Sequence, residues 1–217
     1  MFEIANAKVI IQNAPKYSKI IEPFGANGSL AFILSKKKPK EHILNVFDDV
    51  KFALFNFLQN LSSSDKSILK AKDWIASEET FDAVSKINAV DGVDFFYKWM
   101  YQKNFGVFDM KDMTIPPVYD WVVEGKDIKY KTYELPILKI ALKGVTILNE
   151  EPISVINKAY GSDSYLILTP KGSEDTASVD AKLNSIKSPF IYIKKIKTND
   201  EYIEEVNGTK NKVTAIF

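Results

Sequence analysis

Two glycines, Gly25 and Gly28, mark the turn in "KIIEPFGANGSLAFIL", where one short apolar run gives way to another. Glycine at such a place lets backbone pass close to a ligand, and the amides of a following helix can face anionic or polar groups. The same two glycines also serve simply to make a strand-to-helix turn. Further along, "HILNVFDD" ends in Asp48 and Asp49, which suit the N-cap and first turn of a helix. In "SYLILTPKG" an apolar run closes on Leu168, Thr169, Pro170 and Lys171, so a hydroxyl and an amine stand where the chain leaves a strand. The single histidine, His42, has no Ser, Asp or second His at a motif spacing and reads as an ordinary strand-edge residue. Lys and Tyr interleave in "GKDIKYKTYELP" and "IYIKKIKTND". That pattern suits phosphates and bases, and it suits a solvated strand face equally well.

The elements that must carry these residues follow from periodicity. Short apolar runs bounded by polar residues predict strands at 19–22, 42–47, 145–149, 164–169, 190–194 and 212–217. Helical patterns fall at 28–37, 48–60, 134–142, 151–159 and 176–186. Alternation of this kind predicts an α/β sheet with helices on both faces. Residues 62–110 break it, reading as two or three helices with no strand, so they are taken as a helical insertion into a core formed by 1–61 and 111–217. Within the insertion "SSSD" is an N-cap signal, and the aromatics of "FDAVSKINAVDGVDFFYKWMY" recur at helical spacing and read as core. The adjacent prolines of "MKDMTIPPVYDWVVEGKDIKY" mark irregular chain returning to the sheet.

Composition sets outer limits. The chain has 217 residues, 46% of them hydrophobic, enough to bury a sizeable core. Lys+Arg is 29 against Asp+Glu 28, so no overall charge draws the protein to nucleic acid or anionic lipid, and any basic surface must be local. There is no arginine, so bidentate reading of guanine and clamping of phosphate are replaced by the point charge of lysine. There is no cysteine, which excludes disulfides, thiolate nucleophiles and cysteine-ligated zinc; no metal site is expected. No basic leader precedes an apolar stretch, and no apolar run reaches the about 18 residues that span a bilayer, so the expectation is a cytoplasmic protein without a membrane partner.

Taken in order, "IEPFGANGSLAFIL", "HILNVFDDVKFALFNFLQNL", "FFYKWMYQKNFG" and "LKGVTILNEEPISVINKAYGSDSYLILTPKG" resemble the Dam-like class of adenine-specific DNA methyltransferases over most of the chain. The resemblance implies an S-adenosylmethionine-dependent methyltransferase-like, Rossmann-type sheet, with the insertion standing where that family keeps its DNA-recognition subdomain. In the family the first block reads E-P-F-x-G-x-G-S and binds S-adenosylmethionine; here Glu22, Pro23, Phe24, Gly28 and Ser29 match. The first family glycine falls on Ala26, and Gly25 lies one position early. The family's second strand ends in Asn-Asp, whose acid holds the cofactor's ribose; the Asn is kept as Asn45 and the acid falls on Val46. "KNFGV", around Asn104 to Val107, is similar to the family's aromatic-Asn-Gly element in altered order.

The family's catalytic D-P-P-Y supplies a carboxylate and a backbone carbonyl that accept the two protons of the adenine amine, and a ring that stacks on the flipped base. Aligning Pro170 with either proline puts Leu168 or Thr169 at the acid and Lys171 or Gly172 at the ring. Losing acceptance of this kind costs ~3 kcal/mol or more of transition-state stabilisation per group. The resemblance therefore implies a degenerate motif at Leu168, Thr169, Pro170 and Lys171, and a vestigial cofactor site at Glu22, Pro23, Phe24, Gly25, Asn27, Gly28 and Asp48 from which S-adenosylmethionine has been lost. The expected protein is a pseudoenzyme that binds DNA, a protein partner or its own copy. Two alternatives stand beside it: an active enzyme using Thr169 and backbone carbonyls as acceptors, and a structural or assembly role in a phage or mobile element.

Overall fold

The computed structural model describes residues 19–25, 39–105, 110, 125–127, 135–158, 164–170, 173–198, 201–208 and 212–215. Their strands form one sheet: β1 (Lys19–Glu22), β2 (Glu41–Asn45), β3 (Val145–Leu148), β4 (Ser164–Leu168), β5 (Phe190–Thr198), β6 (Glu201–Gly208) and β7 (Lys212–Ala215), in the order β3-β2-β1-β4-β5-β6-β7. The first five are parallel; β6 runs antiparallel to β5, and β7 antiparallel to β6. The helices are α1 (Asp49–Asn60), α2 (Ser63–Ala71), α3 (Glu78–Ser85), α4 (Gly92–Phe105), α5 (Leu135–Leu142), α6 (Pro152–Lys158) and α7 (Ser173–Lys182). A five-stranded parallel sheet in the order 3-2-1-4-5 is a Rossmann-like α/β arrangement.

Among the described residues the parallel part of the sheet carries buried side chains on both faces, as parallel sheets do, and this is why its strands read as continuous apolar runs. All five residues of β4, Ser164–Leu168, are buried. On one face Ile21, Leu166, Leu168 and Tyr192 meet Val155 and Ile156 of α6 and Val179 of α7. The opposite face carries Ile20, His42, Leu44, Ile167 and Ile191, also buried. Burying a side chain of this size contributes ~1.5–3 kcal/mol, so the sheet's two faces supply most of what holds this part together.

The chain divides into two compact units, residues 1–49 with 144–217, and residues 50–143. In the second unit Ser62 and Asp65 form a capping box: the Ser62 hydroxyl accepts from the Asp65 amide at 3.0 Å and the Asp65 carboxylate from the Ser62 amide at 2.7 Å. These bonds hold the Asp65 carboxyl below its ordinary value of 3.8. Five aromatics of α4 are core, as their spacing predicts: Phe95, Phe96, Tyr97, Tyr101 and Phe105 are buried, while Trp99 is half-buried. Buried Lys98 donates to Ser85 O and Ile87 O past the end of α3, supplying a cation at a helix C-terminus while burial pulls its amine below the usual lysine value.

Three sequence expectations change. Strand β2 stops at Asn45 instead of running to residue 47, because Phe47 has φ of 39°, outside the extended region. A strand at Glu201–Gly208, absent from the expected set, follows β5 in a hairpin; Glu204 and Glu205 interrupt its apolar residues and hide a period of two. Strand β5 itself runs to Thr198 because β6 pairs with it beyond the last β4 partner, at Tyr192. The helix expected at 28–37 and most of the irregular stretch after residue 110 lie outside the described residues.

Candidate functional site

In open α/β sheets ligands bind beyond the carboxyl ends of the strands, where the strand order reverses. Here that place lies between β1 and β4. The fold brings together there two segments 145 residues apart in the chain: Pro23, Phe24 and Gly25 leaving β1, and Thr169 and Pro170 leaving β4. Thr169 Oγ1 faces Phe24 O at 3.5 Å, and Pro170 is buried.

Their side chains are turned inward. Phe24 belongs to the core with Ile21, Leu166 and Leu168, and Leu168, one of the two positions aligned with the family's acid, is fully buried there. Gly25 is not in a left-handed conformation; it is small because β2 is against it. A Cβ at Gly25 would stand 2.2 Å from Leu44 Cδ1 and 2.9 Å from the Asn45 carbonyl oxygen, and the Gly25 amide donates to that same oxygen at 2.8 Å. Close approach of backbone is indeed what this glycine permits, and the group approached is the protein's own second strand.

Asn45 is fully buried and uses its whole amide on the protein. Its Nδ2 donates to Pro23 O at 2.9 Å and to Glu150 O at 2.8 Å, and its Oδ1 accepts from Glu150 N at 2.9 Å. One side chain at the end of β2 thereby ties the chain leaving β1 to the chain leaving β3. Val46 is buried and its amide donates to Leu148 O at 2.9 Å. Asp48 is half-buried, one residue before α1; Asp49 opens that helix and accepts from Asn149 Nδ2 at 2.6 Å.

Glu22 and His42 were missed as a pair by sequence reading. Both are on one face of the sheet, since Ile20 pairs with His42 and Glu22 with Leu44. Both are buried, with 3% and 4% exposure, and His42 Nε2 lies 2.5 Å from Glu22 Oε1. His42 is therefore an interior residue of β2, not a strand-edge one. Alternation places it with Leu44 on a buried face, and that was the available signal.

Of the other sequence candidates, Asn104 donates to Met100 O within α4. Lys194 and Lys195 of the Lys–Tyr stretch stand in register opposite Glu205 and Glu204. Asn27, Gly28, Lys171 and most of "GKDIKYKTYELP" lie outside the described residues. Among the described residues no cluster of three His, Asp or Glu side chains could hold a metal ion, and no helix is long and apolar enough to cross a membrane.

Fold and site together define a Rossmann-like α/β protein whose carboxyl-edge groups bond chiefly to one another. Compared with known proteins, the chain matches no protein-family model and no curated sequence.

Proposed function

We propose that the protein is a catalytically degenerate relative of the adenine-specific DNA methyltransferases, which keeps the α/β scaffold as a binding module and has given up methyl transfer. The observation that carries this reading is the use of Asn45 and Gly25: the groups at the ends of β1 and β2 that would meet a cofactor are bonded to β1, β2 and β3 instead. Val46 offers no acceptor to a ribose, and Leu168 and Thr169 offer no carboxylate to an adenine amine. The residues present at these positions do not fit S-adenosylmethionine.

A protein partner is favoured over DNA, because Lys+Arg is 29 against Asp+Glu 28 and there is no arginine, which leaves neither an overall charge nor a bidentate phosphate clamp to hold a duplex. Calorimetry with S-adenosylmethionine and a methyl-transfer assay on unmethylated DNA test the proposal. No binding heat and no transferred label are expected; turnover above background would overturn it. Fluorescence anisotropy on duplex DNA across a salt series separates the partners, since phosphate-driven affinity falls steeply with salt.

A further inference from the structure

β3 closes one end of the sheet and pairs, among the described residues, with β2 alone. Three bonds show which of its main-chain groups β2 uses. Leu148 O accepts from Val46 N, while Glu150 gives its amide to Asn45 Oδ1 and accepts Asn45 Nδ2 on its carbonyl. Main-chain groups of successive strand residues point to opposite sides, so Leu148 and Glu150 face β2, and Ile147 between them turns its N–H and C=O to the outer side. Proteins blunt such edges with lysine, proline or a bulge within the strand; Val145–Leu148 has none of these. Ile147 and Leu148 are only half-buried, whereas Ile21 and Leu44 on the inner strands are buried. Charge runs one way along this edge: exposed Lys143 lies two residues before the strand, and exposed Glu151 follows it. Glu150 is paired with Lys158, but the Glu151 carboxylate accepts from the Ile153 and Ser154 amides, which leave its charge in place.

We propose that β3 is a homodimerisation edge, at which two copies of this chain join β3 to β3 antiparallel about a two-fold axis at Ile147 and make one continuous sheet. In that register Ile147 meets Ile147 and each donates its amide to the other's carbonyl, Thr146 stands across from Leu148, and Lys143 of one copy lies towards Glu151 of the other at both ends. A parallel pairing would bring lysine to lysine and acid to acid, so charge selects the antiparallel one. A second copy is the occupant because the edge is complementary to itself, in apolar content along its length and in charge between its ends. The proposal rests on the reading above only for the choice of a protein as partner. Methyl-transfer turnover would remove that reading with the dimer intact, and a monomer would remove the dimer with that reading intact.

Sedimentation velocity on the full chain, from about 1 μM to about 500 μM, tests the pairing, with a concentration-dependent shift from the mass of one chain to that of two expected. Ile147→Pro removes the outward N–H without taking a bond from β2, so it is expected to keep the circular dichroism spectrum and remain a monomer throughout. Lys143→Glu, outside the strand, sets acid against acid at both ends and should weaken association roughly tenfold at low salt. Hydrogen exchange on the wild-type chain locates the interface: the Ile147 amide should slow about tenfold or more across the series, while that of Leu148, which faces β2, should not change. A monomer at every concentration, a dimer in which the Ile147 amide does not slow, or an Ile147→Pro variant that dimerises like wild type would each overturn the proposal. If Ile147→Pro fails to fold, the wild-type exchange series and Lys143→Glu decide by the same criteria.

Discussion

Replacing Asn45 with Ala removes three hydrogen bonds from the carboxyl edge of the sheet and leaves Pro23 O, Glu150 O and Glu150 N without that partner. Each bond contributes ~1 kcal/mol net, and a buried carbonyl left unsatisfied costs ~1–3 kcal/mol, which brings the expected loss to about 3 kcal/mol. For a chain of this length that corresponds to a fall of about 6–12 °C in melting temperature. Asn45→Asp is the sharper perturbation, because it is nearly isosteric and keeps the acceptor for Glu150 N. Its carboxylate cannot donate, and it turns two carbonyl oxygens from partners into like-signed neighbours, so it should destabilise at least as much as Ala. Urea titration followed by circular dichroism gives both values, with hydrogen exchange of β1–β3 amides assigning the change to the sheet. Should Asn45→Asp match wild type, or Asn45→Ala shift the melting temperature by less than about 2 °C, the amide is not the tie between strand ends and the reasoning about the site fails.

Gly25→Ala places a methyl 2.2 Å from Leu44 Cδ1 and 2.9 Å from Asn45 O; the leucine end can rotate away but the carbonyl cannot, so destabilisation of ~1–3 kcal/mol is expected in chemical denaturation. Ser62→Ala should cost ~1 kcal/mol, seen as faster exchange confined to α2. The capping box also sets a pH dependence: because folding lowers the Asp65 carboxyl, its contribution is fully present above the unfolded value near 3.8 and is lost as pH falls through the lower folded value. Exchange of α2 measured from pH 5 downward should show that loss in wild type and little of it in Ser62→Ala.

Most of the sheet was legible in the chain, and the physical reason is burial on two sides. A strand such as Ser164–Leu168 has to be apolar throughout, so periodicity finds it without knowing its neighbours. Helix starts were legible where capping is local, as at Ser62 and Asp65, three residues apart. The hairpin strand Glu201–Gly208 was not, because its apolar residues do not alternate and its identity as a strand depends on its pairing with β5. Likewise the end of β2 at Asn45 was not legible, because it comes with a backbone turn at Phe47, whose φ of 39° its residue type does not announce.

By itself the sequence determined the parallel strands and their order of appearance, the capped helices and the absence of a carboxylate at Leu168 and Thr169, since these depend on residue type and near neighbours alone. Tertiary structure decided what the conspicuous residues do. Gly25 is small because Leu44 and Asn45 are against it, Asn45 spends its amide on the chain leaving β1 and β3, and Glu22 meets His42 across 20 residues. Hydrogen bonds and close contacts are made to whatever the fold brings within about 3 Å, and only the packed sheet determines which groups those are.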